Sequence, residues 1–187
     1  MKDSVRKATG RLLEQSIVIR CQARDDDAFE ELVEMFQKRL SYYVERLVGD
    51  RHDADDVLQD VWVDVYRAIP NLRSPRAFRV WLYRIARDKV YTMFRKRSTW
   101  MNLTDDAELP ADDRDEPEFS AENAARIHAG LAALPPAQRE VLVLRFIENM
   151  SYEEIAGATG CRLGTIRSRI HYAKQALRKN MKEADNG

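Results

Sequence analysis

The chain has 187 residues, of which 44% are hydrophobic and 33% charged, and its 31 lysines and arginines balance 31 aspartates and glutamates. The hydrophobic content is enough for packed cores, and the few glycines and prolines argue against a turn-rich all-β fold. No apolar run approaches the ~18–20 residues that cross a membrane, and the two isolated cysteines and three scattered histidines form neither a disulfide framework nor a metal-ligand spacing.

Residues 1–19 are predicted to be an N-terminal extension that precedes the first domain. The first fifteen residues lack the apolar segment of a secretion signal, and a reducing compartment suits the isolated cysteines. We therefore expect a cytoplasmic protein that does not insert into a membrane and that needs no metal or cofactor.

Helical spacing of apolar residues predicts the first domain at residues 20–98. Residues 27–48 form one or two helices, the next helix spans about residues 57–69 and is stopped by Pro70, and a third spans about residues 78–94. No segment alternates for long enough to require a strand, so we expect an all-α fold.

The first domain carries one acidic and one basic block. Residues 50–64 hold six aspartates and one arginine, and residues 73–97 hold nine basic residues and one acid. Such an acidic face repels DNA, so we expect it to contact a basic protein surface, the alternative being a plain solvated face. Four aspartates follow helical spacing and share roughly one face of the acidic block: Asp53, Asp56, Asp60 and Asp64.

Aromatic and basic residues alternate along residues 78–97. Aromatic rings can hold unpaired bases while cations follow phosphates, so this helix is a candidate contact for single-stranded nucleic acid. For Trp81 the alternative is a place in the core, whereas Tyr83 and the arginines are less easily buried.

Residues 99–119 are predicted to be a flexible acidic linker. Residues 104–118 contain eight acids, one arginine and two prolines, and self-repulsion extends such a segment. The second helical domain follows at residues 120–183. The fold class is therefore two small helical domains joined by a flexible acidic linker.

The second domain contains SYEEIAGATGCRLGTIRSRI at residues 151–170, which follows the helix-turn-helix pattern. Ser151 and Glu154 form a capping box, and Gly160 suits the left-handed turn that ends the first helix. The alternative is a plain helical hairpin with a basic exposed face. Residues 161–182 hold seven basic residues and no acid.

The second helix of this motif is expected to present its side chains outward to DNA. Arg167 and Ser168, early in that helix, are the strongest candidates for base readout, with His171 and Tyr172 beside them near Thr165. The phosphate-facing charges are expected to be Arg162, Arg169, Lys174, Arg178 and Lys179.

Two segments resemble conserved regions of bacterial sigma factors. DADDVLQDVWVDVYRAI followed by AFRVWLYRIARDKV is similar to their second region, and LPPAQREVLVLRFIENMSYEEIAGATGCRLGTIRSRIHYAKQAL to their fourth. With only a short linker between them, the chain resembles the extracytoplasmic function (ECF, group IV) sigma factors over about residues 24–182. This resemblance implies a factor that directs bacterial RNA polymerase to specific promoters under the control of an anti-sigma factor.

The resemblance also implies a role for each matching position. The acidic helix would bind the clamp coiled coil of the polymerase β′ subunit, residues 139–146 would lie near the β flap, and the linker would pass through polymerase channels. Asp88 stands where many members have Asn, and Tyr172 where many have Arg. Core polymerase would be bound by Asp53, Asp56, Gln59, Asp60 and Asp64. The minus-10 promoter element would be contacted by Leu72, Arg73, Arg76, Arg79, Trp81, Tyr83, Arg84, Arg87 and Asp88. The minus-35 element would be contacted by Arg162, Thr165, Arg167, Ser168, His171 and Tyr172.

Two other classes of protein fit the sequence less well. A stand-alone helix-turn-helix regulator would explain residues 151–182, but it leaves the acidic helix and the aromatic-basic helix without a role. An enzyme is not indicated, because the sequence has no nucleophile–base pair, phosphate loop or set of metal ligands.

Overall fold

The computed structural model describes two stretches of the chain, residues 2–97 and 124–185. Side chains are described for residues 9–97, 127 and 129–181. The predicted linker at 99–119 falls outside these stretches. Helices dominate the described residues, and no strand occurs among them, so the all-α prediction is confirmed.

The chain divides into two compact units, Met1–Lys96 and Arg97–Gly187. The described part of the first unit is built from α1 (Lys2–Gln22), α2 (Asp26–Val48), α3 (Arg51–Ala68) and α4 (Phe78–Lys96). The central helix is α2, which contacts the other three. Its buried side chains recur at steps of three and four, as an amphipathic helix requires. They include Leu32, Phe36, Leu40 and Tyr43.

Polar caps fix the ends of α2 and α3. The carboxylate of Asp25 accepts from the backbone N–H of Ala28 at 2.9 Å, and that of Asp50 accepts from the N–H of Asp53 at 3.0 Å. Between them, Gly49 ends α2 with a φ of 82°, a left-handed conformation that glycine adopts without strain. The acidic helix α3 therefore begins at a defined point.

The helix α1 belongs to the first unit, although the sequence analysis placed residues 1–19 outside the domain. Ile17, Val18 and Cys21 are buried in the core, and Glu14 is buried on the same face of α1. A glutamate at a core position, with polar residues around it, obscured the apolar period of this helix. Burial raises the pKa of the Cys21 thiol to about 11, so the thiol stays protonated at neutral pH.

The segment between α3 and α4, hereafter the α3–α4 loop, comprises residues 69–77. It consists of two 3₁₀ turns, Ile69–Asn71 and Pro75–Ala77, with three residues between them. Ile69 at its start and Phe78 just after it are both buried, so the core anchors the loop at each end.

The described part of the second unit is built around one long helix. Its helices are α5 (Ala124–Ala132), α6 (Pro136–Leu142), α7 (Tyr152–Thr159) and α8 (Leu163–Asp185). The chain passes from α6 into a π-helical turn at Val143–Ile147. The long helix α8 contacts α5, α6 and α7, and it buries Ile166, Ile170, Ala173 and Leu177.

The guanidinium of Arg139 holds the end of α5 against α6. It donates at 2.9 Å to three backbone carbonyl groups near the end of α5, where a helix has no internal donors left. These carbonyls belong to Leu131, Ala132 and Leu134. Arg139 therefore has a structural role inside the second unit.

Candidate nucleic-acid and protein interfaces

The helix-turn-helix formed by α7 and α8 has the predicted capping box and turn. Glu154 accepts from the backbone N–H of Ser151 at 2.7 Å, and the Ser151 hydroxyl accepts from the N–H of Glu154 at 3.1 Å. Gly160 ends α7 with a φ of 71°. Ile155 of α7 and Ile166 of α8 are fully buried, which fixes the two helices against the core.

One face of α8 is directed to solvent. Arg162 in the turn and Arg167 and Gln175 on the helix are exposed, whereas His171 and Tyr172 are half-buried. The rings of His171 and Tyr172 meet edge to face with centroids 5.4 Å apart. Arg167 and His171 are four residues apart, so they lie one above the other on the face that could enter a groove.

Thr165 and Ser168 are not presented outward, contrary to the expectation from the sequence. They are only 3% and 2% exposed, and the Ser168 hydroxyl donates to the Thr165 carbonyl at 3.0 Å. Both residues lie on the side of α8 that the rest of the unit covers. The sequence motif contains Arg167 and Ser168 as neighbours, but a helix turns them about 100° apart.

Two of the five expected phosphate-facing cations are also buried. Arg169 is 7% exposed and donates to the Cys161 sulfur at 3.2 Å. Lys174 is 6% exposed, and its ammonium lies 5.8 Å from the centre of the Phe146 ring. These two side chains stabilise the unit, whereas Lys179 is exposed and Arg178 is half-buried.

At the start of α7, the carboxylate of Glu153 interacts electrostatically with the exposed Arg167 of α8. The pKa of Glu153 is lowered mainly by its own backbone N–H at the start of the helix and by the Ser151 hydroxyl, and the charge of Arg167 acts in the same direction. Glu153 therefore stays ionised at neutral pH close to Arg167.

The acidic helix α3 exposes part of the predicted acidic face. Asp56, Gln59, Asp60 and Val63 follow one another at helical spacing and are all exposed; we call them the acidic strip. Asp53 and Asp64 are half-buried at the two ends of the predicted set, and the carboxylate of Asp64 lies 2.7 Å from the ammonium of Lys89 on α4.

The helix α4 exposes Arg84 and Asp88, one turn apart, with Trp81 half-buried on the same side. Arg87, also half-buried, donates to the Tyr91 hydroxyl at 2.8 Å and stacks over the Tyr91 ring at 4.1 Å. This side of α4 combines aromatic rings and cations, as the pattern predicted.

Two residues that were assigned to the same DNA contact lie inside the first unit. Tyr83 is fully buried, and its ring packs edge to face on that of Tyr43 with centroids 5.1 Å apart. The guanidinium of Arg79 donates to Glu14 at 2.7 Å and lies 5.6 Å from the centre of the Phe36 ring. The expectation that Tyr83 and Arg79 resist burial is therefore wrong, because each finds a partner in the core.

The α3–α4 loop exposes Asn71, Arg73 and Arg76, while Leu72 is half-buried. The carbonyl of Leu72 accepts from the side-chain amide of Gln22 at 2.6 Å. Sequence reasoning missed Gln22, which contacts this loop, and Glu14, which pairs with Arg79 at the start of α4. The sequence signal for this helix was Glu14, which stands three residues before Ile17 at helical spacing.

Other kinds of site receive no support from the described residues. No group of three or more His, Cys, Asp or Glu side chains within them is arranged to hold a metal ion. None of their helices is both long enough and apolar enough to cross a membrane.

Comparison with known proteins assigns both units. The family model for Sigma-70 region 2 matches residues 32–99, and that for Sigma-70, region 4 matches residues 124–177. The solved structure of the sigma factor RpoE from Bartonella quintana, in complex with the anti-sigma factor NepR, has a TM-score of 0.65 at 23% identity. It covers 82% of this chain and 96% of that one, so the fold is shared.

Two curated relatives are similar over most of this chain. The ECF RNA polymerase sigma factor SigE of Mycolicibacterium smegmatis is 36% identical over 81% of this chain, which spans 60% of that relative's length. The ECF RNA polymerase sigma-E factor of Escherichia coli K12 is 33% identical, and the match covers 89% of this chain and 93% of that protein. The chain therefore belongs to the extracytoplasmic function family of RNA polymerase sigma factors.

Proposed function

We propose that this chain is a group IV sigma factor that directs bacterial RNA polymerase to specific promoters in the cytoplasm, and that it has no catalytic chemistry of its own. One observation carries the proposal: α3 of one unit exposes an acidic strip, while α8 of the other exposes Arg167 on a helix-turn-helix. DNA attracts the second surface and repels the first, so the first suits a protein partner. A stand-alone regulator needs only the second.

The minus-35 element would be read by the exposed side of α8. Arg167 is the best candidate for a base contact, because its long side chain starts from the solvent face and can pair with a guanine edge. His171 and Tyr172 lie beside it, and Arg162 would hold a phosphate. Thr165 and Ser168 would act indirectly, because their burial helps to hold α8 in place against the other helices of the unit.

The minus-10 element would be bound by the α3–α4 loop and the exposed side of α4. Arg73 and Arg76 are exposed in the loop, and Arg84 and Asp88 are exposed on the helix. Trp81, Arg87 and Leu72 are half-buried and could meet an unstacked base. Capturing such a base would offset a few kcal/mol of unstacking, which is how binding would assist promoter melting.

Core polymerase would be bound mainly through the acidic strip. Asp56 and Asp60 are one turn apart and exposed, Gln59 adds a polar contact, and Val63 adds an exposed apolar side chain at the end of the strip. This mixture suits the clamp coiled coil of the β′ subunit if that surface is basic. Asp64 would contribute less, because Lys89 already neutralises it.

The second unit would meet the β flap through the segment around residues 139–146. Arg139 and the buried side chains of α6 hold this segment together from inside. Phe146 and Ile147 are half-buried, so they are the apolar side chains of this region that a partner could reach.

An anti-sigma factor would regulate the chain. This part of the proposal is supported by the shared fold with a sigma factor that was solved together with an anti-sigma factor. Such a partner would act by covering the acidic strip or the exposed face of α8, because either one is needed for promoter-directed transcription.

Co-purification with core RNA polymerase separates this function from that of a stand-alone regulator. We expect the full chain to bind core enzyme with submicromolar affinity and to bind promoter DNA specifically only as part of the holoenzyme. Tight, sequence-specific binding of the isolated chain to DNA, without any binding to core enzyme, would refute the proposal.

A further inference from the structure

The helix α1 packs against the α3–α4 loop as well as against α2. It contacts both 3₁₀ turns of the loop, Ile69–Asn71 and Pro75–Ala77. These contacts fall on the segment that exposes Arg73 and Arg76.

The backbone of the loop has little freedom except near Leu72. Pro70 and Pro75 each fix their own φ angle, and Ser74, which precedes a proline, is held in the extended region at φ −145° and ψ 123°. Leu72 leaves the first 3₁₀ turn with φ −65° and ψ 118°. The orientation of the Leu72 carbonyl therefore determines the direction in which Arg73 projects.

That carbonyl is held by a side chain from α1. The amide nitrogen of Gln22 donates to it at 2.6 Å, across a separation of 50 residues. The bond is partly buried, where water competes less strongly with a protein donor. Gln22 is thus placed to fix the peptide plane between Leu72 and Arg73.

A second contact prevents α1 from sliding along the loop. Glu14 accepts from Arg79 at 2.7 Å, and their side chains are only 7% and 18% exposed. Arg79 is the second residue of α4, just beyond the loop. Glu14 and Gln22 are eight residues, or about 12 Å, apart along α1. Gln22 through the Leu72 carbonyl and Glu14 through the Arg79 side chain thus tie α1 to the chain on both sides of Ser74.

We propose that Gln22 is a positioning residue for minus-10 recognition: through the Leu72 carbonyl it sets the conformation of the α3–α4 loop and thereby its base preference. This inference rests on the proposed function, since it presumes that the loop reads promoter DNA. Gln22 itself contacts no base. Its removal should change which bases are preferred in the minus-10 element and leave minus-35 recognition unchanged.

The test uses holoenzyme assembled from the full chain and core RNA polymerase. Transcript yield is measured on a promoter library whose minus-10 segment is randomised behind a fixed minus-35 element, and each preference is the yield ratio of the best to the next base. Gln22→Met removes the donor and keeps the side-chain length. We expect it to lower the preference at the loop-read positions about three- to tenfold, the effect of one lost hydrogen bond.

Three further variants define the control. Gln15→Met makes the same change seven residues earlier on α1 and should keep wild-type preferences. Gln22→Lys retains a donor and should keep most of them, whereas Gln22→Glu places an oxygen against the carbonyl and should lose at least as much as Gln22→Met. All variants should keep a thermal midpoint within about 4 °C of wild type, so that a folding defect is recognised.

The outcomes separate this inference from the proposed function. If the wild-type holoenzyme transcribes without any minus-10 preference, the proposed function fails. If the wild type discriminates and both Gln22→Met and Gln22→Glu discriminate equally well, Gln22 does not position the loop. Equal losses at minus-10 and minus-35 positions would also overturn the inference, because they would show general destabilisation.

Discussion

The ammonium of Lys89 on α4 lies 2.7 Å from the carboxylate of Asp64 on α3. This pair joins the basic and acidic blocks of the first unit and neutralises one end of the predicted acidic face. Asp56 and Asp60 lie on the same helix but are exposed to solvent. The structure thus separates Asp64, which is paired within the unit, from Asp56 and Asp60, which can meet a partner.

Reversing the charge of the acidic strip should weaken polymerase binding. The double change Asp56→Lys and Asp60→Lys places two cations where a basic partner would dock, so we expect affinity for core enzyme to fall at least about tenfold. Stability should change by no more than about 0.5 kcal/mol per site, since both side chains are exposed. Fluorescence anisotropy with labelled protein and core enzyme measures the affinity.

A matched control lies on the same helix. Asp55 is exposed but is turned about 100° from Asp56, so Asp55→Lys should leave polymerase binding nearly unchanged. Equal effects of Asp55→Lys and Asp56→Lys would mean that general charge, rather than the strip, governs binding.

Arg167 and Lys179 should affect DNA binding in different ways. Arg167→Ala should cost about 1–3 kcal/mol at one minus-35 base pair and relax preference there. Lys179→Ala should weaken binding on all sequences alike and reduce the salt slope by about 1, as expected for a phosphate contact. Competition binding of holoenzyme to promoter variants at several salt concentrations distinguishes the two. A uniform loss for Arg167→Ala would contradict base readout by this residue.

Ser168 should matter for folding rather than for base choice. Because its hydroxyl donates to the Thr165 carbonyl inside the unit, Ser168→Ala should leave every minus-35 preference at its wild-type value. Ser168→Leu should overpack the covered side of α8 and destabilise the second unit by about 1–3 kcal/mol. Thermal unfolding and promoter-library transcription measure the two effects. A changed base preference in Ser168→Ala would instead support the base contact that the sequence predicted for Ser168.

Arg79 should likewise act on stability. Arg79→Met leaves the buried Glu14 without this partner, and breaking such a pair costs about 3–5 kcal/mol when it is well buried. Replacing both residues, with Glu14→Leu and Arg79→Met, should recover most of the loss, because no uncompensated charge remains. Urea denaturation of the four proteins in this double-mutant cycle gives the coupling energy. Additive effects would show that the two side chains do not interact.

The sequence predicted the all-α fold and the helix-turn-helix because these depend on local periodicity and caps. The two sigma-like segments were identified by their resemblance to a known family. Ser151, Glu154 and Gly160 are recognisable within ten residues of one another, and the structure confirms the cap and turn that they predict. Asp56 and Asp60 were likewise placed on an exposed face of α3 by helical spacing alone.

Two of the errors concern residues whose surroundings come from distant parts of the chain, since Tyr83 packs on Tyr43 and Arg79 pairs with Glu14. The errors at Ser168 and Arg169 are local, because each side chain bonds to a residue three to eight positions earlier. A cation with an internal partner, or an aromatic ring that packs on another ring, can be buried, and the sequence does not reveal that partner. The helix α1 was missed for a different reason, since the charged residue Glu14 on its buried face interrupts the apolar pattern.

The most direct test of the account is transcription in vitro by core RNA polymerase on a library of randomised promoter fragments, with and without the full chain. We predict that the chain selects fragments sharing two conserved elements, near minus-10 and minus-35, and that Arg167→Ala relaxes the second element alone. Transcription that does not depend on the chain, or selection of a single operator-like element, would contradict the account.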